Sequence, residues 1–360
     1  MATKFVYSGA GGANTGASWA NAWTSIQSIS GAAAGDLIEV ASDHAETLAG
    51  LLTLTSPGTL ANPCRIISAD RSNDHYLAGA SVTTQSAGGG VTSWVGCFYA
   101  AGITFIADAG SSQYWYFAQS SGNKLQVFEN CNFHYLGTAS ARYIAFAENQ
   151  AGADSLVIFR NCNWKFGHTG TFFEVATARA IFEGGGILAG SAALTGVLDI
   201  TGDGSGRTGS IRFEGFDFSN LASTANLINT SVLGLSTPVF RNCKMPSSWS
   251  GSLFSATLTN PATSAILHNS DTTNTNYRLW KENWCGSIKH ETTLVKTSGA
   301  SDGTTPLSWK MASSANALFP FSLLATGEIV QWNETTGSSV TLTVDILHDS
   351  VTNLKDNDIW

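Results

Sequence analysis

Five segments share one pattern of apolar and polar positions: Val127-Phe128-Glu129-Asn130-Cys131, Ile158-Phe159-Arg160-Asn161-Cys162, Ile181-Phe182-Glu183-Gly184-Gly185, Arg212-Phe213-Glu214-Gly215-Phe216 and Val239-Phe240-Arg241-Asn242-Cys243. Ile266-Leu267-His268-Asn269-Ser270 is a weaker sixth copy. The Phe or Leu positions are 128, 159, 182, 213, 240 and 267, so by subtraction the copies lie 31, 23, 31, 27 and 27 residues apart. One strand motif every roughly 20–30 residues marks a solenoid. The Leu/Asn consensus of leucine-rich repeats is missing, and so is any helical periodicity. The pattern predicts a coil of short strands joined by turns of variable length.

Each column of the repeat has its own chemistry. Phe128, Phe159, Phe182, Phe213 and Phe240 are expected to point inward and stack rung on rung. The next position alternates outward and carries Glu129, Arg160, Glu183, Glu214, Arg241 and His268. This predicts cross-strand pairing of Glu129 with Arg160 and of Glu214 with Arg241, and sets Glu183 unfavourably beside Glu214. Asn130, Asn161 and Asn242 share their column with Gly184 and Gly215, and Asn and Gly are the residues that accept positive φ at a tight turn. Stacked amides in that column are expected to bond between rungs. Cys131, Cys162 and Cys243 follow, small apolar side chains suited to the inside of a bend.

Composition supports stacked strands. Of the 360 residues 12% are charged, with 37 Gly, 19 Phe and 11 Trp, so the chain is polar and small-residue-rich yet well supplied with core aromatics, unlike a disordered chain. The net charge of -8 argues against a nucleic-acid partner, which needs clustered Lys and Arg. No apolar run reaches the roughly 18 residues of a membrane span. The N-terminal Met1–Tyr7 lacks the apolar segment of a secretory leader, so folding in a cytoplasm is expected, with free thiols as the default. The six cysteines include no C-x-x-C pair, and neither a metal nor a cofactor is signalled.

Gly12–Ile26, with Ser18-Trp19-Ala20-Asn21-Ala22, followed by Ala34-Gly35-Asp36-Leu37-Ile38-Glu39-Val40, resembles the opening of pectate-lyase-like parallel β-helix proteins. The resemblance implies a right-handed parallel β-helix whose open end is plugged by a short helix. Ser298–Met311 and Trp332–Ser339 resemble the ends of uncharacterised tailed-bacteriophage virion proteins, which implies a virion location. The expected organisation is a cap over 1–35, a solenoid over 36–290 and a β-sandwich-like module over 291–360, where alternating runs such as Val340–Leu347 replace the rung motif.

Enzymes of this fold place carboxylates on an exposed β-face, as pairs for glycoside hydrolysis or as calcium ligands for lyases. The candidates are Asp43 and Glu46, with His44 between them, and Asp70 and Asp74, beside His75. Each cluster lies where a strand runs into a turn, and turns favour Asp for structural reasons. Asp199, Asp203 and Asp217 fit the rung period poorly, and Gly202–Gly209 lacks the ending of a phosphate loop. Alternation buries half of Tyr114-Trp115-Tyr116-Phe117, whereas exposed aromatics stack on sugars. Trp280 and Trp284, just past the last rung, are candidates for sealing the solenoid's far end or for a subunit contact. The expectation is therefore a virion structural protein: a head decoration protein, head fibre or tail component. Its partners are copies of itself, most simply as a trimer, other virion proteins and surface glycans. The alternative is a tailspike that binds or cleaves polysaccharide as a hydrolase or lyase.

Overall fold

The computed structural model describes residues 1–251 except 86–88, 120–121, 139–142, 148–154, 175–176, 200–208, 230–237 and 248, and beyond them the backbone of the strands from Ile266 to Thr343 named below. Three parallel sheets run through the first part. The first contains ten strands, from Thr3–Val6 and Leu37–Ala41 to Val239–Arg241 and Ile266–His268. The second contains six, from Ala45–Leu48 to Gly186–Ile187, and the third seven, from Thr53–Thr55 to Asn226–Asn229. The chain visits the sheets in rotation, and each strand pairs in parallel with its counterpart one coil away. Parallel strands joined by crossovers wind right-handed, and the architecture is a right-handed parallel β-helix.

The register follows the repeat. Phe128 pairs with Phe159, Phe159 with Phe182, Phe182 with Phe213, and Phe213 with Phe240. All five are at most 1% exposed. Successive rings stack at 5.2, 4.8, 4.5 and 5.3 Å, tilted by no more than 22°. The column continues backwards through Ala100, Ile66 and Ile38, rungs without the Phe signature. Phe133 and Trp164 face it from the second sheet, and Trp94, Phe117 and Phe146 from the third, all buried. Aromatic rings at these separations add to the burial of their apolar area.

The turns close as their residues dictate. Asn130, Asn161 and Asn242 have φ of 50°, 49° and 53°, and Gly184 and Gly215 have 68° and 62°. Their N–H groups still reach the next coil, Asn161 donating to the Glu183 carbonyl at 2.8 Å and Gly184 to that of Glu214 at 2.8 Å. The inter-rung amide ladder runs two residues later than expected: Asn163 Nδ2 donates to Asn132 Oδ1 at 3.2 Å, and Asn132 Nδ2 to Thr104 Oγ1 at 3.3 Å. Those amides lie in extended strand, where identical side chains from adjacent rungs stand side by side. Cys131, Cys162 and Cys243 are buried free thiols bonded to backbone carbonyls. Burial and the neighbouring Cys131 push the Cys162 thiol well up.

The outward charges pair differently from expectation. Arg160 bridges to Glu183 at 2.9 Å, not to Glu129, whose carboxylate accepts instead from Tyr99 Oη at 3.0 Å. Glu214 takes Arg212 of its own strand at 2.9 Å rather than Arg241. A charged side chain has a neighbour on either rung and along its own strand, and exposed pairs gain too little to enforce one choice.

The opening segment holds a strand as well as the expected short helical turns. Thr3–Val6 is itself the first strand of the first sheet, and the apolar turns are 3₁₀, Trp19–Asn21 and Ile26–Gly31. Ser18 and Ser25 cap them, and Trp23, Ile26 and Ile29 are buried. From Asn276–Arg278 onward the pairing is antiparallel. That strand, Thr293–Ser298, Ser308–Ala312 and Ser339–Thr343 form one sheet, and Ala317–Leu323 and Glu328–Glu334 a hairpin.

Candidate functional site

The acidic candidates come together around the N-terminal segment, and each has a structural partner. Asp43 binds Arg71 through both oxygens at 3.0 and 2.6 Å, and the guanidinium stacks 4.0 Å over the Tyr7 ring. The bond to Arg71 holds the Asp43 carboxyl below its usual range. His44 is fully buried; its Nδ1 accepts from the Ser8 N–H at 2.9 Å, and its Nε2 lies 3.4 Å from Glu46. Glu46 also accepts from the Ile26 N–H at 2.9 Å. Burial alone raises the Glu46 carboxyl, but the nearby His44 ring, Ser25 and the Ile26 N–H together bring it below its usual range. Asp70 closes its own turn on Ser72, and Asp74, at φ 56°, accepts from Trp19 Nε1 at 2.8 Å. Asp36, which the sequence reading did not single out, accepts from Ala2 at 2.7 Å and Ala33 at 2.9 Å. Asp36, Glu46 and Asp74 thereby fasten the opening segment to the first coils.

The other candidates separate. Asp217 pairs with Lys244 at 3.1 Å near the second sheet, whereas Asp199 ends a strand of the third. Asp203, most of Gly202–Gly209, Trp280 and Trp284 lie outside the described residues. Trp115 and Phe117 are buried, while Tyr114, Tyr116, Tyr143 and Phe172 stand on the outer face of the third sheet. Tyr143 stacks on Phe172 at 5.9 Å and on Tyr116 at 5.9 Å, tilted by 23° and 17°. Rings stacked along the solenoid axis turn their faces to one another and their edges outward. Among the described residues no group of three or more His, Cys, Asp or Glu is placed to hold a metal ion, and no helix is long and apolar enough to cross a membrane.

A cleft on the outer face of the first sheet escaped the sequence reading. Its volume is about 640 Å³. Two outward columns make its floor: Arg65 beside Tyr99, and Ile67 beside Ala101 beside Glu129. Ala101 is the smallest of these and lies buried at the bottom of the cleft, 3% exposed. Tyr76, 50% exposed, forms one wall. It reaches over Gly102, where a Cβ would come within 2.9 Å of its ring and where φ is +72°; only glycine suits both demands. The Tyr76 hydroxyl bonds the Asn130 side chain, and burial raises that hydroxyl's pKa. Burial and the bond to Glu129 push Tyr99 up to about 12. The cleft was illegible because Arg65, Tyr76, Tyr99 and Glu129 come from three coils and a loop and share no motif.

No protein-family model matches the chain, and no curated protein matches its sequence. Among solved structures, the crystal structure of an alginate lyase from Paenibacillus sp. str. FPU-7 matches over 68% of this chain and 92% of that chain, with 18% identity and a TM-score of 0.35.

Proposed function

We propose that this chain is a structural and adhesive rod of a bacteriophage particle rather than an enzyme. The observation that carries the reading is the use of the acidic groups. Asp43, Glu46, Asp70 and Asp74, the candidate carboxylates of the sequence, are bound to Arg71, Ile26, Ser72 and Trp19, so each is engaged in a structural contact. The continuous aromatic stack supports the same role, since a core in unbroken register resists local opening. The placement in a virion rests on the resemblance of Ser298–Met311 and Trp332–Ser339 to tail-phage proteins. Assembly as a homotrimer with other virion proteins is part of the proposal.

Antibodies raised against the chain should label purified particles in electron microscopy. Label only on soluble protein would remove the virion placement. Purified protein should release no reducing ends from host surface polysaccharide. Release that Asp43→Asn or Asp70→Asn abolishes would overturn the non-enzymatic reading in favour of a degrading tailspike.

A further inference from the structure

Cys131 and Cys162 hold the same place on neighbouring rungs. The pairs on either side of them are in register, Glu129 with Arg160 and Asn132 with Asn163. The two Cα atoms therefore stand one strand spacing apart, about 4.8 Å, inside the roughly 4.4–6.8 Å that a disulfide spans. Cys131 Sγ donates to the carbonyls of Glu129 at 3.5 Å and Ala100 at 3.7 Å, and Cys162 Sγ to those of Arg160 and Phe128, both at 3.4 Å. Phe128 belongs to the rung of Cys131, so the Cys162 thiol leans across the gap towards its counterpart, and the two thiols interact. The other described cysteines lack this arrangement. Cys243 donates to Arg241 at 3.4 Å and Phe213 at 3.6 Å in the same way, but register puts Phe216 beside it. Cys64 and Cys97 also lie on adjacent rungs, yet their sulfurs turn apart: Cys64 Sγ donates to the Ala33 carbonyl and Cys97 Sγ accepts from the Leu125 N–H, on opposite sides of the pair. Cys285 lies outside the described residues.

We infer that Cys131 and Cys162 are an oxidation site: hydrogen peroxide converts them to a disulfide in the folded chain, and that bond staples two rungs of the solenoid. Peroxide oxidises one thiol to a sulfenic acid and leaves as water; the second sulfur then displaces the hydroxyl as a second water and closes the S–S bond. The two thiols lose two electrons and two protons, and one peroxide becomes two waters. To meet its partner, Cys131 turns away from the Ala100 carbonyl. Both residues are at most 1% exposed, and burial with the neighbouring Cys131 keeps Cys162 in the thiol form. Oxidation is therefore slow, and the pair stays reduced wherever thiol reductants prevail. The same burial shields the finished bond from reductants. The cysteines lie 31 residues apart by subtraction, so the bond closes one whole coil and removes conformations from the unfolded chain. The inference goes beyond the proposed function and is independent of whether the rod belongs to a virus.

The test is to incubate the folded full-length chain with millimolar hydrogen peroxide at mildly alkaline pH, unfold it in N-ethylmaleimide, digest it and map the peptides by mass spectrometry. One cross-linked pair should appear, joining the Cys131 and Cys162 peptides, while Cys243 in the same sample carries maleimide. The oxidised chain should melt at least about 5 °C higher than the reduced one. Cys131→Ser and Cys162→Ser should each abolish both the cross-link and the gain in melting temperature, and Cys243→Ser should keep both. Should a serine variant fail to fold, the alanine variant at the same position takes its place. Maleimide or a sulfonic acid on both Cys131 and Cys162 after peroxide would overturn the inference, as would a cross-link from either of them to another cysteine. A Cys131–Cys162 bond that leaves the melting temperature unchanged would overturn the staple. None of these results touches the particle-labelling test of the rod, so the failures of the two readings are distinguishable.

Discussion

At the scale of single residues, the rung position decides what a substitution does. Phe159 stacks between Phe128 and Phe182 and is 1% exposed, so Phe159→Ala leaves a cavity that two rigid rings cannot close. The expected loss is about 3–5 kcal/mol, read as a lower urea midpoint. Asn161 asks a backbone question instead. Its φ of 49° suits Asn or Gly, and Asn161→Ala should cost roughly 1–2 kcal/mol while Asn161→Gly is nearly neutral. Equal losses in both variants would mean that the Asn side chain, rather than its backbone conformation, matters at this turn.

At the scale of elements, the opening segment is held by carboxylates whose pKa values move in opposite directions. Asp36 and Glu46 are held below their usual range: burial pushes each up, but N–H donors, and for Glu46 also His44, outweigh it. For such groups the stabilisation is present above the unfolded pKa and disappears as pH falls through the folded one. Acidification below about pH 4 should therefore release the segment, seen as early hydrogen exchange at Ala2 and Ile26. Glu39 is the reverse. It lies between Phe5 and Ile67, and burial, then the nearby Asp74, raises its carboxyl. Its charged form opposes folding at neutral pH, a cost relieved as pH falls through the raised folded value. Glu39→Gln should raise the melting temperature at pH 7 and have little effect at acid pH; a lower melting temperature at pH 7 would show that the carboxylate has a partner that stabilises it.

For the whole molecule, the question is what covers a solenoid's ends. One end is closed by Trp23, Ile26 and Ile29. The chain leaves the other through Ile266–His268 into antiparallel strands, and stacked strands need caps or partners to avoid uncontrolled pairing. Light scattering on full-length protein should give a closed oligomer, a trimer in the proposed assembly, and truncation near Lys289 should reduce it to monomer. An oligomer that survives the truncation would place the contact on the solenoid; a full-length monomer at micromolar concentration would remove the oligomer in solution.

The β-helix was legible because its cause is periodic: an inward Phe, an outward charge and an Asn or Gly at positive φ recur from 127 to 243, and each is a local demand of the backbone or of side-chain alternation. Rungs without that signature, such as Phe98–Ala101 with Ala100 in the Phe column, became visible only through register. Two matters depended on tertiary structure alone. Which charge pairs with which is a choice among near-equal neighbours, so Arg160 took Glu183. The cleft depends on a small side chain, Ala101, having Ile67 and Glu129 on adjacent rungs, and on Gly102 admitting Tyr76 from a loop. Nothing in local sequence encodes that proximity, because stacking sets side by side residues that lie about thirty positions apart in the chain.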